Sequence, residues 1–326
     1  MSRTKSTVLA LTLAPFLATA QAAEPASAQS YPTKTIRFIA PFGAGATTDT
    51  LARLVASHLG QAMGQTVIVE NKPGGSGIIG ASAVLSAPAD GYTVLVAGSA
   101  PLVFNVLTFA KLPYNPDDLV PVTVLAEYPL VIAANIDSKI KSLADITRLA
   151  SEKPETLGYS YTSPSFKVQV EYLSTLLKVK MLAVPYNGGG AALQAVMAGD
   201  TPLIAQDPTS VAPMHKTGKL RAIAVTSKRR NAALPDVPTV AESGVPNFES
   251  SLFMGLAVRR GTPPAIVQKL HHEVAKVLAL PEVREKIAAL GMDPKGSTPE
   301  ESATKVKREL EQYRPIVEAA GMRASQ

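Results

Sequence analysis

Apolar residues recur along this chain on two alternating periods. Residues 36–40 form a mainly apolar run that reads as a strand. The run leads into Pro41-Phe42-Gly43-Ala44-Gly45-Ala46-Thr47-Thr48-Asp49. A helical pattern leaves that loop, with Leu51, Leu54, Val55 and Leu59 on one face. Strand, glycine-bearing loop and helix start therefore follow in order. Such a junction aims unpaired backbone N–H groups and the positive end of a helix dipole at one spot, which suits an anion. The same glycines also serve a plain turn.

The alternation repeats. Residues 66–70, rich in valine and isoleucine, predict a buried strand, 71–77 a loop, 78–86 a short helix and 92–97 the next strand. Three such units predict an open, largely parallel sheet. A proline-rich passage at 112–121 interrupts them before the strand-like residues 130–133. A second series follows: a capped helix start at Ser142-Leu143-Ala144-Asp145, strands at 157–160, 181–184, 203–205 and 222–226, and helices at 166–177 and 191–198. A second proline-rich passage at 234–238 leads to a strand at 253–258. The tail is helical, at 264–278, 281–290 and from the capping box Thr298-Pro299-Glu300-Glu301 to about residue 319.

The economical reading is an α/β protein of two lobes, one inserted in the other. Residues 31–128 plus 250–326 would form lobe 1 and residues 129–249 lobe 2. Two crossovers, near 128 and 249, make a hinge and a cleft, where small ligands bind.

Composition narrows the function classes. The 326 residues are 46% hydrophobic and 18% charged, as in a globular protein. There is no cysteine, so disulfides, cysteine nucleophiles and thiolate metal sites are excluded. The net charge is +6, yet Lys228-Arg229-Arg230 is the sole dense basic run and aromatics are 5%, which argues against nucleic-acid binding. Arg3 and Lys5 precede an apolar run at 7–20 and two small-residue cleavage patterns, so residues 1–28 are expected to be a secretory signal peptide. No later run is long and apolar enough for a membrane span.

Candidate chemistry gathers at strand-to-helix junctions. Besides the first loop there are Pro185-Tyr186-Asn187-Gly188-Gly189-Gly190 and Tyr159-Ser160-Tyr161-Thr162-Ser163-Pro164-Ser165. Opposed across a cleft, such helix starts could hold the two ends of a dianion. Gly75-Ser76-Gly77-Ile78-Ile79-Gly80 matches a dinucleotide fingerprint, but the next strand ends in Ala97-Gly98-Ser99 without a carboxylate, so a structural turn is preferred and no cofactor is expected. His58, His215, His271 and His272 fit neither a metal site nor a triad, and no nucleophile elbow is present. Asp49 and Asp207 could face the cleft as a hydrolytic pair, although each also suits a helix cap.

With these motifs in place, the chain from Tyr31-Pro32 to about Gly321 resembles the Bug family, the extracytoplasmic solute receptors of tripartite tricarboxylate transporters. The resemblance rests on Tyr31-Pro32-Thr33-Lys34-Thr35-Ile36, the Pro-Phe loop ending in Asp49, and Glu70-Asn71-Lys72-Pro73-Gly74-Gly75-Ser76-Gly77. It continues through Ala87-Pro88-Ala89-Asp90-Gly91-Tyr92, Val184-Pro185-Tyr186, Gly218-Lys219-Leu220-Arg221 and Leu234-Pro235-Asp236-Val237-Pro238-Thr239. It implies a type II periplasmic-binding-protein fold with Venus-flytrap closure, and a monomeric, non-enzymatic receptor in the periplasm. Such a receptor captures a small organic (di)carboxylate or related compound and delivers it to membrane permease subunits.

The resemblance implicates Phe42, Ala44, Gly45, Thr47, Thr48 and Asp49 from one lobe, and Gly188, Gly189 and Asp207 from the other. Two departures stand out. Gly45-Ala46 replaces the usual paired glycines, so the Ala46 Cβ is expected to narrow the backbone approach or forbid positive φ. The third loop, usually rich in glycine and serine and followed by a histidine, reads Tyr161-Thr162-Ser163-Pro164-Ser165-Phe166-Lys167, with Gln169 near that histidine's place. Tyr161, Thr162, Ser163 and Ser165 are added as ligand contacts. Tyr161 and Phe166 could stack on an aromatic ligand or fill the pocket. A ligand-presenting subunit for a membrane signalling protein, or less favourably a periplasmic hydrolase, remains an alternative.

Overall fold

The computed structural model describes residues 31–96 and 98–323; the expected signal peptide lies outside the described residues. Strand β1 (Ile36–Ala40) is buried at four of its five positions, as its apolar run predicts. Helix α1 (Thr47–Met63) lays Leu51, Ala52, Val55, Ala56 and Leu59 into the core and stops at Gly64, whose φ of 64° makes a left-handed cap. Strand β2 (Val67–Asn71) follows, then α2 (Ile78–Leu85) and β3 (Thr93–Val96). Both β2 and β3 run parallel to β1. Contrary to expectation, β2 is not buried: it forms the sheet's edge, with Ile68 39% exposed.

A wide turn at Ala100–Phe104 runs into α3 (Asn105–Thr108). The proline-rich passage then hides a ten-residue strand, β4 (Leu119–Tyr128), that its composition concealed. The return strand β10 (Leu252–Arg259) pairs antiparallel with β4, and Pro121 sits opposite Ala257 at a break in register between Leu256 and Ala257. A proline lacks the ladder N–H, and a bulge is where a sheet tolerates that loss. With β11 (Asp293–Pro294) the first sheet has the order β11-β4-β10-β3-β1-β2. It is mixed rather than largely parallel, because β10 and β11 enter antiparallel.

Residues 131–225 build the second sheet. Its elements are β5 (Val131–Asn135), α4 (Leu143–Glu152), β6 (Gly158–Tyr161), α5 (Pro164–Leu177), β7 (Leu182–Pro185), α6 (Gly189–Ala198), β8 (Leu203–Gln206), α7 (Pro208–Lys216) and β9 (Leu220–Val225). The sheet order is β7-β6-β8-β5-β9. Ser142 caps α4 by accepting from the Asp145 N–H, as its sequence predicts.

The chain leaves the first sheet after Tyr128 and rejoins it at Leu252. Helices α8 (Pro264–Ala279) and α9 (Pro281–Ala289) cover the first sheet, and α10 (Pro299–Ala319) starts in the expected capping box. Helix α10 also fastens both crossovers. The Tyr313 hydroxyl lies 2.9 Å from that of Ser250, and Lys305 Nζ pairs with Glu127 at 2.7 Å and Glu309 at 2.9 Å. Tyr313 also meets Phe104 and Tyr172, with ring centroids 5.2 and 5.9 Å apart. One apolar cluster therefore runs from Ile39 and Leu95 through Phe104 and Tyr313 to Tyr159 and Leu173, spanning both sheets.

Candidate functional site

A cleft of about 710 Å³ lies between the two sheets, and four helices start on it: α1, α5, α6 and α7. Their first turns differ. Ala46 precedes α1 and Gly188 precedes α6, and neither supplies a side-chain cap. Ser163 caps α5 by accepting from the Phe166 N–H, and Asp207 caps α7 by accepting from the Ser210 N–H at 3.2 Å. Pro164 and Pro208 open those two helices and have no N–H to give. So α1 and α6 present first-turn N–H groups that no side chain claims, while in α5 and α7 a capping side chain claims one N–H and proline removes another. No lysine, arginine or histidine lines the cleft among the described residues.

The first loop is held from behind. Asp49 is 4% exposed and accepts from the Gly45 N–H at 2.9 Å, Arg53 Nε at 3.1 Å and Asn71 Nδ2 at 2.8 Å. Asn71 Nδ2 also donates to the Phe42 carbonyl at 3.1 Å. Burial alone would push the Asp49 carboxyl up, but the bonds from Arg53, Gly45 and Asn71 outweigh it and hold it below the ordinary carboxylate range. Positive φ falls on Gly45, at 79°, while Ala46 has φ −65° and ψ 157°. The extra Cβ of Ala46 therefore meets no conformational barrier, and of the two expected effects the one that concerns positive φ does not arise at this residue. Ala46 faces the cleft as a bare, extended helix-capping position.

In the opposite wall, Gly188 has φ 98°, which side chains rarely adopt, and a Cβ on Gly189 would lie 2.6 Å from Gln206 Nε2. Asp207 lines the cleft, but its Oδ1 is engaged by the hydroxyls of Thr209 and Ser210 as well as the Ser210 N–H. Thr47 Oγ1 lies 3.1 Å from Thr209 Oγ1, which ties the start of α1 to the start of α7. Tyr128, on the crossover strand, also faces the cleft. Burial, reinforced by the charge of Asp207, pushes its hydroxyl pKa well above the ordinary value, so it stays a neutral donor.

Most of the sequence candidates meet here. Phe42, Gly45, Thr47 and Thr48 line one wall, and Thr162, Ser163, Ser165, Gly188, Gly189 and Asp207 the other. Ala44, Asp49 and Tyr161 do not line the cleft. Ala44 is at the exposed loop tip, Asp49 lies beneath the loop, and Tyr161 packs against Tyr159 with Lys167 Nζ 5.9 Å from its ring centroid. Without Asp49, the supposed hydrolytic pair has one carboxylate in the cleft. Phe166 lines the wall beside Ser165.

Sequence reasoning missed Ser76, Tyr128, Gln206 and Ser210, all of which line the cleft. Gln206 and Ser210 flank Asp207 and could have been taken with it. Ser76, held at φ 53°, arrives from a glycine turn read as purely structural. Tyr128 comes from the strand that prolines concealed.

Comparisons with known proteins agree with one another. Residues 51–322 match the model of the tripartite tricarboxylate transporter family receptor. Protein BugT of Bordetella pertussis is 32% identical over 312 residues, covering 94% of this chain and 95% of its own. Among solved structures, R. palustris Rpa4515 with adipate superposes with a TM-score of 0.82 at 32% identity, covering 89% of this chain and 98% of that one. MatC (Rpa3494) from Rhodopseudomonas palustris with bound malate gives 0.78 at 31% identity, covering 88% and 100%.

Proposed function

The chain belongs to the tripartite tricarboxylate transporter receptor family, and from that premise we propose that it is a periplasmic receptor that captures a small organic carboxylate between its two lobes and hands it to a membrane permease. A dicarboxylate is the foremost ligand class, since Rpa4515 holds adipate and MatC holds malate. The observation that carries the reading is the pair of uncapped helix starts, α1 and α6, in the walls of one cleft that no cationic side chain lines among the described residues. Oriented N–H groups and helix dipoles then supply the attraction for a carboxylate. Closure around the ligand removes water and strengthens each charge-assisted hydrogen bond. Contacts with both lobes favour the closed form, which is the state a permease would read.

A thermal-shift screen of adipate, malate and benzoate tests the proposal. A ligand at a hundredfold its Kd stabilises the folded state by about 2.7 kcal/mol. Failure of every organic anion to raise the melting temperature would count against carboxylate capture. Export is checked separately by locating the mature protein in the periplasmic fraction.

A further inference from the structure

Strand β8 runs beneath α6. Ile204 of that strand packs in one apolar cluster with Ala192 and Val196 of α6. Gln206, two residues on, shares the face of Ile204, because side chains alternate along a strand. An apolar residue would continue the pattern. Instead a carboxamide ends the strand, 2% exposed and in the lining of the cleft. Its Oε1 accepts from the Thr162 hydroxyl at 3.4 Å. Its Nε2 donates to no group among the described residues, and it is not sealed from solvent as both amide atoms of Gln169 are. A nearly buried donor left unpaired is costly, and a cleft wall is where a ligand can pair it.

The position of Nε2 says what it would meet. A Cβ on Gly189 would lie 2.6 Å from Nε2 and 3.8 Å from Ser210 Oγ, so the amide occupies the space that a side chain at 189 would need. Gly189 is the first residue of α6, and Gly188 before it supplies no side-chain cap. The free amide donor and the free first-turn N–H groups of α6 therefore adjoin each other on one wall. The bond from Thr162 decides which end of the carboxamide turns to α6: the donating end. Asp207 adds a negative charge to this wall, but the Thr209 and Ser210 hydroxyls engage its oxygens.

We propose that Gln206 is a specificity residue for the α6 end of the cleft, its Nε2 donating to the same ligand oxygens that the first turn of α6 attracts. The proposal rests on the carboxylate-receptor reading and deepens it: this end of the ligand is an acceptor, a carboxylate, and an ammonium is turned away. An ammonium has donors alone, so it would strand the amide N–H and face the positive end of the α6 dipole. A site built to pair one polar group rejects an analogue that cannot make the bond.

The test compares adipate with ε-aminocaproate, which carries an ammonium in place of one carboxylate. Both are titrated calorimetrically into wild-type protein, Gln206→Met and Gln206→Glu. Methionine keeps the length and removes the donor; glutamate keeps the shape and replaces the donor by a charged acceptor. The ratio of adipate to ε-aminocaproate affinity is expected to fall about tenfold in Gln206→Met, the loss of one charge-assisted hydrogen bond, and about tenfold further in Gln206→Glu. Should the glutamate variant fail to fold, the methionine variant decides alone. An unchanged ratio overturns the proposal, whether both affinities hold or both fall together, the latter marking a purely structural role. Wild-type protein that binds neither compound overturns the carboxylate reading itself, and this inference with it.

Discussion

Helices α1 and α6 meet the cleft bare, whereas α5 and α7 meet it capped by Ser163 and Asp207 and opened by proline. All four follow a strand and all four would pass as anion-binding junctions by pattern alone. On the carboxylate reading, the difference predicts that a helix start recognises an anion best when nothing in its own sequence has already claimed its N–H groups. Bare starts forgo a cap worth about 1 kcal/mol each. In α1 the surrounding loop is instead stiffened by Asp49, from a position that leaves the helix end open.

Four substitutions probe this contrast. Gly188→Val should act most strongly, because φ 98° is inaccessible to valine without strain and the backbone before α6 must move; isothermal titration with a bound carboxylate should show a loss of about a hundredfold. Asp49→Ala should weaken binding roughly tenfold by freeing the Gly45 N–H and the Asn71 amide, with the fold kept. If affinity held in that variant, loop stiffness would be irrelevant to capture.

Ala46→Ser is the more pointed test. Its extended backbone already suits a capping residue, so the new hydroxyl should claim an α1 N–H and raise stability by about 0.5–1 kcal/mol. Affinity should drop about threefold in the same protein, because cap and ligand compete for one donor. A variant that became more stable and bound no worse would show that the first turn of α1 is not used. Ser163→Ala should change affinity least and show chiefly in the melt, with a loss of about 1 kcal/mol from the uncapped α5.

What could be read in the chain followed the range of the interaction concerned. The Ser142 cap and the Thr298 capping box are signals three residues long, and both are in place. Apolar periodicity located α1 and β1 because burial there is decided by neighbours in sequence. Strand β4 was hidden because Pro121 is tolerated only through a bulge opposite β10, over a hundred residues away. Likewise Asp49 is equally plausible as cap, ligand or brace until Gly45, Arg53 and Asn71 are seen to converge on it. Tyr128 reaches the cleft only because the chain crosses between sheets beside it. Which member of the Gly45-Ala46 pair takes positive φ could not be read from the sequence; it is Gly45, and Ala46 keeps an ordinary extended backbone.

The two sides of the molecule are also joined by hydrogen bonds that involve no ligand. Thr47 meets Thr209 at the cleft, and Asn231 Nδ2 donates to the Gly291 carbonyl at 2.8 Å, where a Cβ on Gly291 would come within 2.6 Å of Pro208. Moving the two walls of the cleft apart must break the Thr47–Thr209 tie, and we expect that step to set a clock as well as a shape. Association should then be gated: in stopped-flow mixing, the observed rate should climb with solute concentration and level off at the opening rate. Thr209→Val should lift that plateau, and a rate that rises linearly without limit would mean that the doorway is always open.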